Sequence, residues 1–154
     1  GLYRENSKGM FNTPFGKAEK PLICDEKNLR GLNDLLGRNN VRIQSEEYYR
    51  YGKLCDDKTF YYLDPPYRPI TNTSAFTTYS KSGFNDENQM DLKLFCDNIN
   101  DKGGRFLQSN SYQADGFFDD LYRDYTIEII EAKRNINSDG TKRGKVKEIL
   151  IRNY

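Results

Sequence analysis

Apolar positions along this chain fall in short runs broken by polar stretches, and their spacing changes from segment to segment. Over residues 25–37, Leu29, Leu32, Leu35 and Leu36 recur at helical spacing and Gly37 ends the pattern. This predicts a short helix whose leucine stripe packs into a core. VRIQ at 41–44 alternates as a short strand does. A polar, tyrosine-rich stretch at 46–57 reads as a helix. TFYYL at 59–63 is a strand that Asp64 ends. A long polar loop at 68–83 follows, a length that in a compact domain points to function or disorder.

A helix fits 86–101: Asn85 can cap it, Asp86 and Glu87 suit its first turn, and Met90, Leu94 and Phe95 share a face. Gly103 and Gly104 end it. RFLQ at 105–108 is the next strand, with Ser109 and Asn110 at its carboxyl end. Residues 115–123 suit a helix or turn, YTIEIIE at 125–131 a strand, and VKEILIRN at 146–153 a returning strand after an SDG turn at 138–140. Residues 1–20, with Gly9, Pro14 and Gly16, look like an irregular arm. The order implies an α/β fold with a mainly parallel sheet and a terminal antiparallel hairpin. Open α/β sheets bind ligands beyond the carboxyl ends of their strands, where Asp64, Ser109 and Asn110 are expected.

Composition narrows this picture. A chain of 154 residues is one domain's worth, but only 36% is hydrophobic and mean hydropathy is −0.92. The net charge of +1 gives no chain-wide basic footprint for nucleic acid. The stretch 133–147 is locally basic, with Asp139 as its one acid. It reads first as a solvated turn, with a phosphate-facing surface as the functional alternative. Cys24, Cys55 and Cys96 are widely spaced, and with no histidine the usual zinc patterns are excluded. Free thiols and a cytoplasmic location are expected. No apolar run nears the roughly 20 residues of a membrane span, and no signal peptide is visible, so no membrane partner is expected.

FYYLDPPY at 60–67 concentrates the candidate chemistry. Pro65 and Pro66 fix their φ angles and remove two backbone donors. The carbonyls of Asp64 and Pro65 and the Asp64 carboxylate then form a stiff set of acceptors, with the flat ring of Tyr67 beside them. Such a set suits a planar guest that carries an amino group. An Asp-Pro pair alone is an ordinary strand end; the four residues together after an apolar strand are far more specific.

Asp64-Pro65-Pro66-Tyr67 resembles the DPPY motif of methyltransferases that act on adenine N6. GLYRENSKGMFNTPFG at 1–16 resembles the target-recognition arm of Dam-type DNA adenine methyltransferases. AFTTYSKSGF at 75–84, FLQSN at 106–110 and the stretch 133–154 resemble later segments of that family in the same order. The resemblance implies part of a Rossmann-like methyltransferase sheet, S-adenosylmethionine as cofactor and double-stranded DNA as partner. It implies that the target adenine is flipped out of the duplex and stacked on Tyr67, while Asp64 and the Pro65 carbonyl hold its amino hydrogens. Asp64, Pro65, Pro66 and Tyr67 become the expected catalytic residues, and Asp64, Ser109 and Asn110 the expected cofactor contacts. No metal is implied. Base reading is expected at Leu2, Arg4 and Pro14, with GATC as target. Phosphate contacts are expected at Asn6, Lys8, Lys17, Lys142 and Arg143.

One departure accompanies the resemblance. The family's Gly-rich turn for the cofactor, and the strands around it, find no match here, since Gly103 and Gly104 follow a helix. Residues 1–37 are then expected to be the remainder of a recognition arm, and 38–154 the carboxyl-terminal part of a catalytic domain. The incomplete sheet suggests pairing with a missing amino-terminal half or self-association. A non-catalytic DNA-binding fragment and an RNA adenine methyltransferase stand as alternatives, and both a restriction-modification and a solitary role fit.

Overall fold

The computed structural model describes residues 5–13, 22–38, 40–69, 84–133 and 145–154. The chain divides into two units, Gly1–Ser45 and Glu46–Tyr154.

In the first unit, helix α1 spans Glu26–Leu36, and the Asp25 side chain caps it by accepting from the Asn28 N–H. The expected burial of its leucines is not found. Leu29 is 54% exposed, and no residue of α1 is buried. Helical spacing states that a face needs covering, and nothing described in this unit covers it. The predicted strand at 41–44 is likewise irregular chain with Ile43 exposed. Near the amino terminus, Glu5 and Phe11 form an isolated antiparallel bridge around a turn with Gly9 at φ 71°.

The second unit holds a four-stranded sheet. A 3-10 helix over Tyr48–Leu54 replaces the longer helix expected at 46–57. Strand β1 covers Phe60–Leu63, helix α2 Asp86–Asp101, strand β2 Arg105–Ser111, helix α3 Phe117–Leu121, strand β3 Thr126–Lys133 and strand β4 Lys145–Arg152. The sheet order is β1-β2-β4-β3. β1 and β2 are parallel, whereas β4 runs antiparallel to both β2 and β3. The sheet is therefore mixed rather than mainly parallel, because the returning strand inserts between β2 and β3 instead of lying outside them. The SDG turn expected between β3 and β4 lies outside the described residues.

A capping box starts α2: Asn85 and Asn88 each bond the other's backbone N–H through their side chains. Its buried face is Gln89, Leu92, Phe95, Cys96 and Ile99. Met90 and Leu94, expected to share the core face with Phe95, are exposed; the buried stripe runs beside them. The core joins this stripe to Phe106, Phe118, Tyr122, Ile149 and Ile151. At the end of α2, Gly104 packs so closely that a Cβ would sit 2.5 Å from Cys55 Sγ. Cys24, Cys55 and Cys96 are free thiols, and burial pushes that of Cys96 up to about 12. Among the described residues no helix is long and apolar enough to cross a membrane.

Candidate functional site

Strands β1 and β2 run in the same direction in register, with Leu63 opposite Gln108, so their carboxyl ends lie side by side. The sequence past each end sets the site. β1 stops before two prolines, which have no N–H to continue a ladder. β2 continues through Ser109, Asn110 and Ser111, because β4 pairs with all three. The strand expected to end at 108 thus runs three residues further, to Ser111.

Asp64 is exposed at the end of β1, and Ser109, only 3% exposed, donates from Oγ to Asp64 Oδ1 at 2.9 Å. One carboxylate oxygen is anchored. Among the described residues, nothing donates to Asp64 Oδ2 or to the Pro65 carbonyl. Tyr67 keeps 37% of its surface exposed while its hydroxyl donates to Glu148 Oε2 at 3.4 Å, a long bond. Burial, with the charges of Glu148 and Asp64 helping, raises the Tyr67 pKa against a bond to Ser109 that lowers it, so the ring stays neutral.

A relay of side chains fixes the segment beyond Asp64. The Pro66 carbonyl accepts from Gln89 Nε2 at 3.2 Å, and Gln89 Oε1 accepts from Asn110 Nδ2 at 3.2 Å. Asn110 Oδ1 accepts from the Arg68 N–H at 3.0 Å and from the Ser111 N–H at 2.9 Å. Gln89 and Asn110 are both fully buried. The Arg68 carbonyl accepts from Ser111 Oγ at 2.6 Å and from Gln113 Nε2 at 3.1 Å. The Arg68 guanidinium is bidentate on Asp86, at 2.7 and 2.9 Å, and also reaches Asp115 and Gln113. It lies 4.2 Å over the Phe117 ring. Its hydrogen bonds hold Asp86 and Asp115 below the usual carboxylate range, and those to Asp86 and Asp115 raise its own pKa further.

Of the expected site residues, the structure brings Asp64, Pro65, Pro66, Tyr67, Ser109 and Asn110 together. Asn110, expected as a cofactor contact, turns its polar side-chain atoms to protein partners. That side chain is fully buried and engaged with Gln89, Arg68 and Ser111, so it holds the segment. The side-chain oxygen of Asn6 accepts from the Lys8 N–H at 2.9 Å and the Met10 N–H at 3.1 Å, closing the turn. Lys8 is exposed. Leu2, Arg4, Pro14, Lys17, Lys142 and Arg143 lie outside the described residues. The sequence reading missed Gln89, Arg68, Ser111, Gln113 and Asp115. Only Arg68, directly after the motif, carried a local signal.

A polar groove of about 730 Å³ lies at the opposite end of the sheet, lined by Lys93, Asp97, Arg123, Arg152 and Tyr154 among others. Its Asp97 is engaged with Lys93 at 2.7 Å and Tyr125 at 2.6 Å, so its chemistry is internal pairing. Among the described residues there is no cluster able to hold a metal ion.

The site is a stiff, exposed acceptor set on a parallel strand end, and comparison with known proteins gives it a family. The family model of the D12 class N6 adenine-specific DNA methyltransferases matches residues 1–136. The chain belongs to this family. It is 43% identical, over its whole length, to the type II methyltransferase M.MjaIII of Methanocaldococcus jannaschii, covering 53% of that protein. It is 38% identical to the type II methyltransferase M1.LlaDCHI of Lactococcus lactis subsp. cremoris, again over its whole length and 54% of the relative. The DNA adenine methylase of Escherichia coli strain K12 is 31% identical over 97% of this chain and 52% of that protein. The chain thus spans about half the length of these relatives.

Proposed function

We propose that this chain carries the catalytic motif of an enzyme that methylates the N6 amino group of adenine in DNA, with S-adenosylmethionine as methyl donor and GATC as target. The observation that carries the reading is Asp64, anchored by Ser109 at 2.9 Å and followed by the stiff Pro65-Pro66-Tyr67 segment. Family membership and the names of the relatives support it.

The donor set fits the cofactor in charge. S-adenosylmethionine is cationic at its ammonium and sulfonium, and the exposed Asp64 carboxylate with its Ser109 partner is the complementary group here. When bound, the cofactor supplies an electrophilic methyl group. The residues of this chain prepare the nitrogen. An adenine amino lone pair is delocalised into the ring and is weakly nucleophilic. Asp64 Oδ2 and the Pro65 carbonyl accept the two amino hydrogens and favour a tetrahedral nitrogen with a localised lone pair. Tyr67, neutral and half-exposed, stacks on the extruded base. The nitrogen that gains the methyl group would release one of its hydrogens as a proton, which the exposed Asp64 carboxylate can pass to solvent. The contribution is positioning and preorganised polarity.

Arg4 is proposed to read a guanine of the target, with Leu2 and Pro14 against thymine methyls and Lys8, Lys17, Lys142 and Arg143 on phosphates. The test uses the full protein with labelled S-adenosylmethionine and duplexes that contain or lack GATC. Methylated adenine in GATC duplexes, lost with Asp64→Ala, is expected. A protein that binds DNA and cofactor yet methylates no adenine in any duplex rules the reading out. Arg4→Ala should relax discrimination at one guanine by roughly 1–3 kcal/mol; a uniform loss across sequences makes Arg4 a phosphate contact.

A further inference from the structure

Arg68 sits immediately after the motif, yet nothing in the proposed chemistry requires it. Its contacts are unusual for a side chain at a strand end. Its side chain is 17% exposed and reaches α2, the segment just before α3, and α3 itself. It is bidentate on Asp86 in the first turn of α2, pairs with Asp115 just before α3, and covers the ring of Phe117 in α3 itself. Its own backbone is held at both ends, the N–H by Asn110 and the carbonyl by Ser111 and Gln113.

We infer that Arg68 is a positioning residue that sets where Asp64, Pro65, Pro66 and Tyr67 stand relative to the reacting amino group. This rests on the methyltransferase reading above. Two prolines make the motif stiff but do not orient it: a rigid segment attached only to β1 could pivot about Asp64. The pivot is stopped at the far end. Gln89 holds the Pro66 carbonyl, and two residues on, the Arg68 fork clamps the chain to α2 and α3. A lysine cannot reproduce this. Its single ammonium meets one carboxylate at a time, whereas the guanidinium presents a planar fork to Asp86 while a third nitrogen reaches Asp115 and Gln113.

The mechanism makes position decisive. Acceptors that hold an amino nitrogen in line for transfer lose their effect when displaced by about 1 Å, and such a displacement can lower a rate on the order of a hundredfold. Arg68 itself does not touch the amino group, so its loss should leave binding of DNA largely intact.

The test compares Arg68→Gln and Arg68→Lys with the unmodified full protein. Two readouts are needed. The first is amide hydrogen exchange across 60–69, which is independent of any reaction. Arg68→Gln should speed exchange there while exchange across β3 and β4 stays unchanged. The second is single-turnover methylation set against DNA affinity. Arg68→Gln should lower the methyl-transfer rate by tenfold or more, leave DNA affinity within about twofold, and be only partly rescued in Arg68→Lys. If the unmodified protein methylates adenine and Arg68→Gln keeps its rate, the inference is overturned while the enzyme reading stands. If the unmodified protein methylates nothing, the enzyme reading fails, and unchanged exchange across 60–69 in the variant overturns the clamp separately. A uniform speeding of exchange over the whole sheet also overturns it, because Arg68 is then a general stabiliser.

Discussion

Two parallel strands end side by side in this molecule, and they end in opposite ways. β1 delivers Asp64, Pro66 and Tyr67 to the surface. β2 ends in Ser109, Asn110 and Ser111, all buried. The first end presents acceptors with open valences, and the second uses its polar atoms internally. Buried polar groups must be satisfied, and here their partners are the very segment that β1 presents. Ser109 anchors Asp64, Asn110 holds Arg68 and Gln89, and Ser111 holds the Arg68 carbonyl. The presented segment is stiff because the neighbouring strand gives up its own exposure.

The contrast predicts different failures at the two ends. Asp64→Ala removes a presented acceptor at the reacting centre. Methyl transfer should fall by a hundredfold or more, about 3 kcal/mol or above, with DNA affinity nearly unchanged. Single-turnover methylation beside a DNA-binding titration measures both. An unmodified rate would reduce the motif to a strand end. Tyr67→Ala removes the stacking surface, so capture of the flipped base should weaken by up to about 3 kcal/mol. A fluorescent base analogue at the target position reports this, and it should change for Tyr67→Ala but not for Asp64→Ala.

Asn110→Ala belongs to the other end and should break differently. It leaves Gln89 Oε1 and the N–H groups of Arg68 and Ser111 without their buried partner. A stability loss of about 2 kcal/mol in urea unfolding is expected, with slower methyl transfer as a consequence. If Asn110→Ala unfolds like the unmodified protein but fails to bind cofactor, Asn110 belongs among the presenting residues and the contrast between the two ends dissolves.

How much of this could be read in the sequence depended on the range of the interaction. β1 and α2 were legible because their signals are local: an apolar run stopped by Asp-Pro-Pro, and Asn85 as a cap with Asp86 and Glu87 in the first turn. The strand pair 125–131 and 146–153 was legible for the same reason. Sheet order was not, since nothing in the periodicity of β4 states that it inserts beside β2. Ser109 and Asn110 read as the carboxyl end of a strand, yet they and Ser111 are buried. Their burial follows from partners 21 to 45 residues away, Gln89, Arg68 and Asp64. The leucine stripe of α1 failed in the reverse sense. Its spacing was read correctly as a helix, and burial was then assumed.

The smallest expected effect tests the outermost tie between the two ends, the Arg68 fork on Asp86 and Asp115. The hydrogen bond to Arg68, before any other cause, holds both carboxyls below the usual carboxylate range. A carboxyl whose pKa is depressed on folding adds stability above its unfolded pKa and loses it as pH falls through the folded one. The contribution is therefore complete at neutral pH and fades below about pH 4. Both groups are exposed, so water and salt screen much of the gain and the effect is small. Asp86→Asn removes one charge without removing the side chain's bulk. Urea midpoints for Asp86→Asn and the unmodified protein should differ at pH 7 and converge as the pH is taken below 4. A gap that stays constant down to pH 3 would mean that Asp86 acts through its place in the first turn of α2 rather than through Arg68. In that case the clamp on the presented strand end rests on Asp115, Gln113 and Phe117 alone.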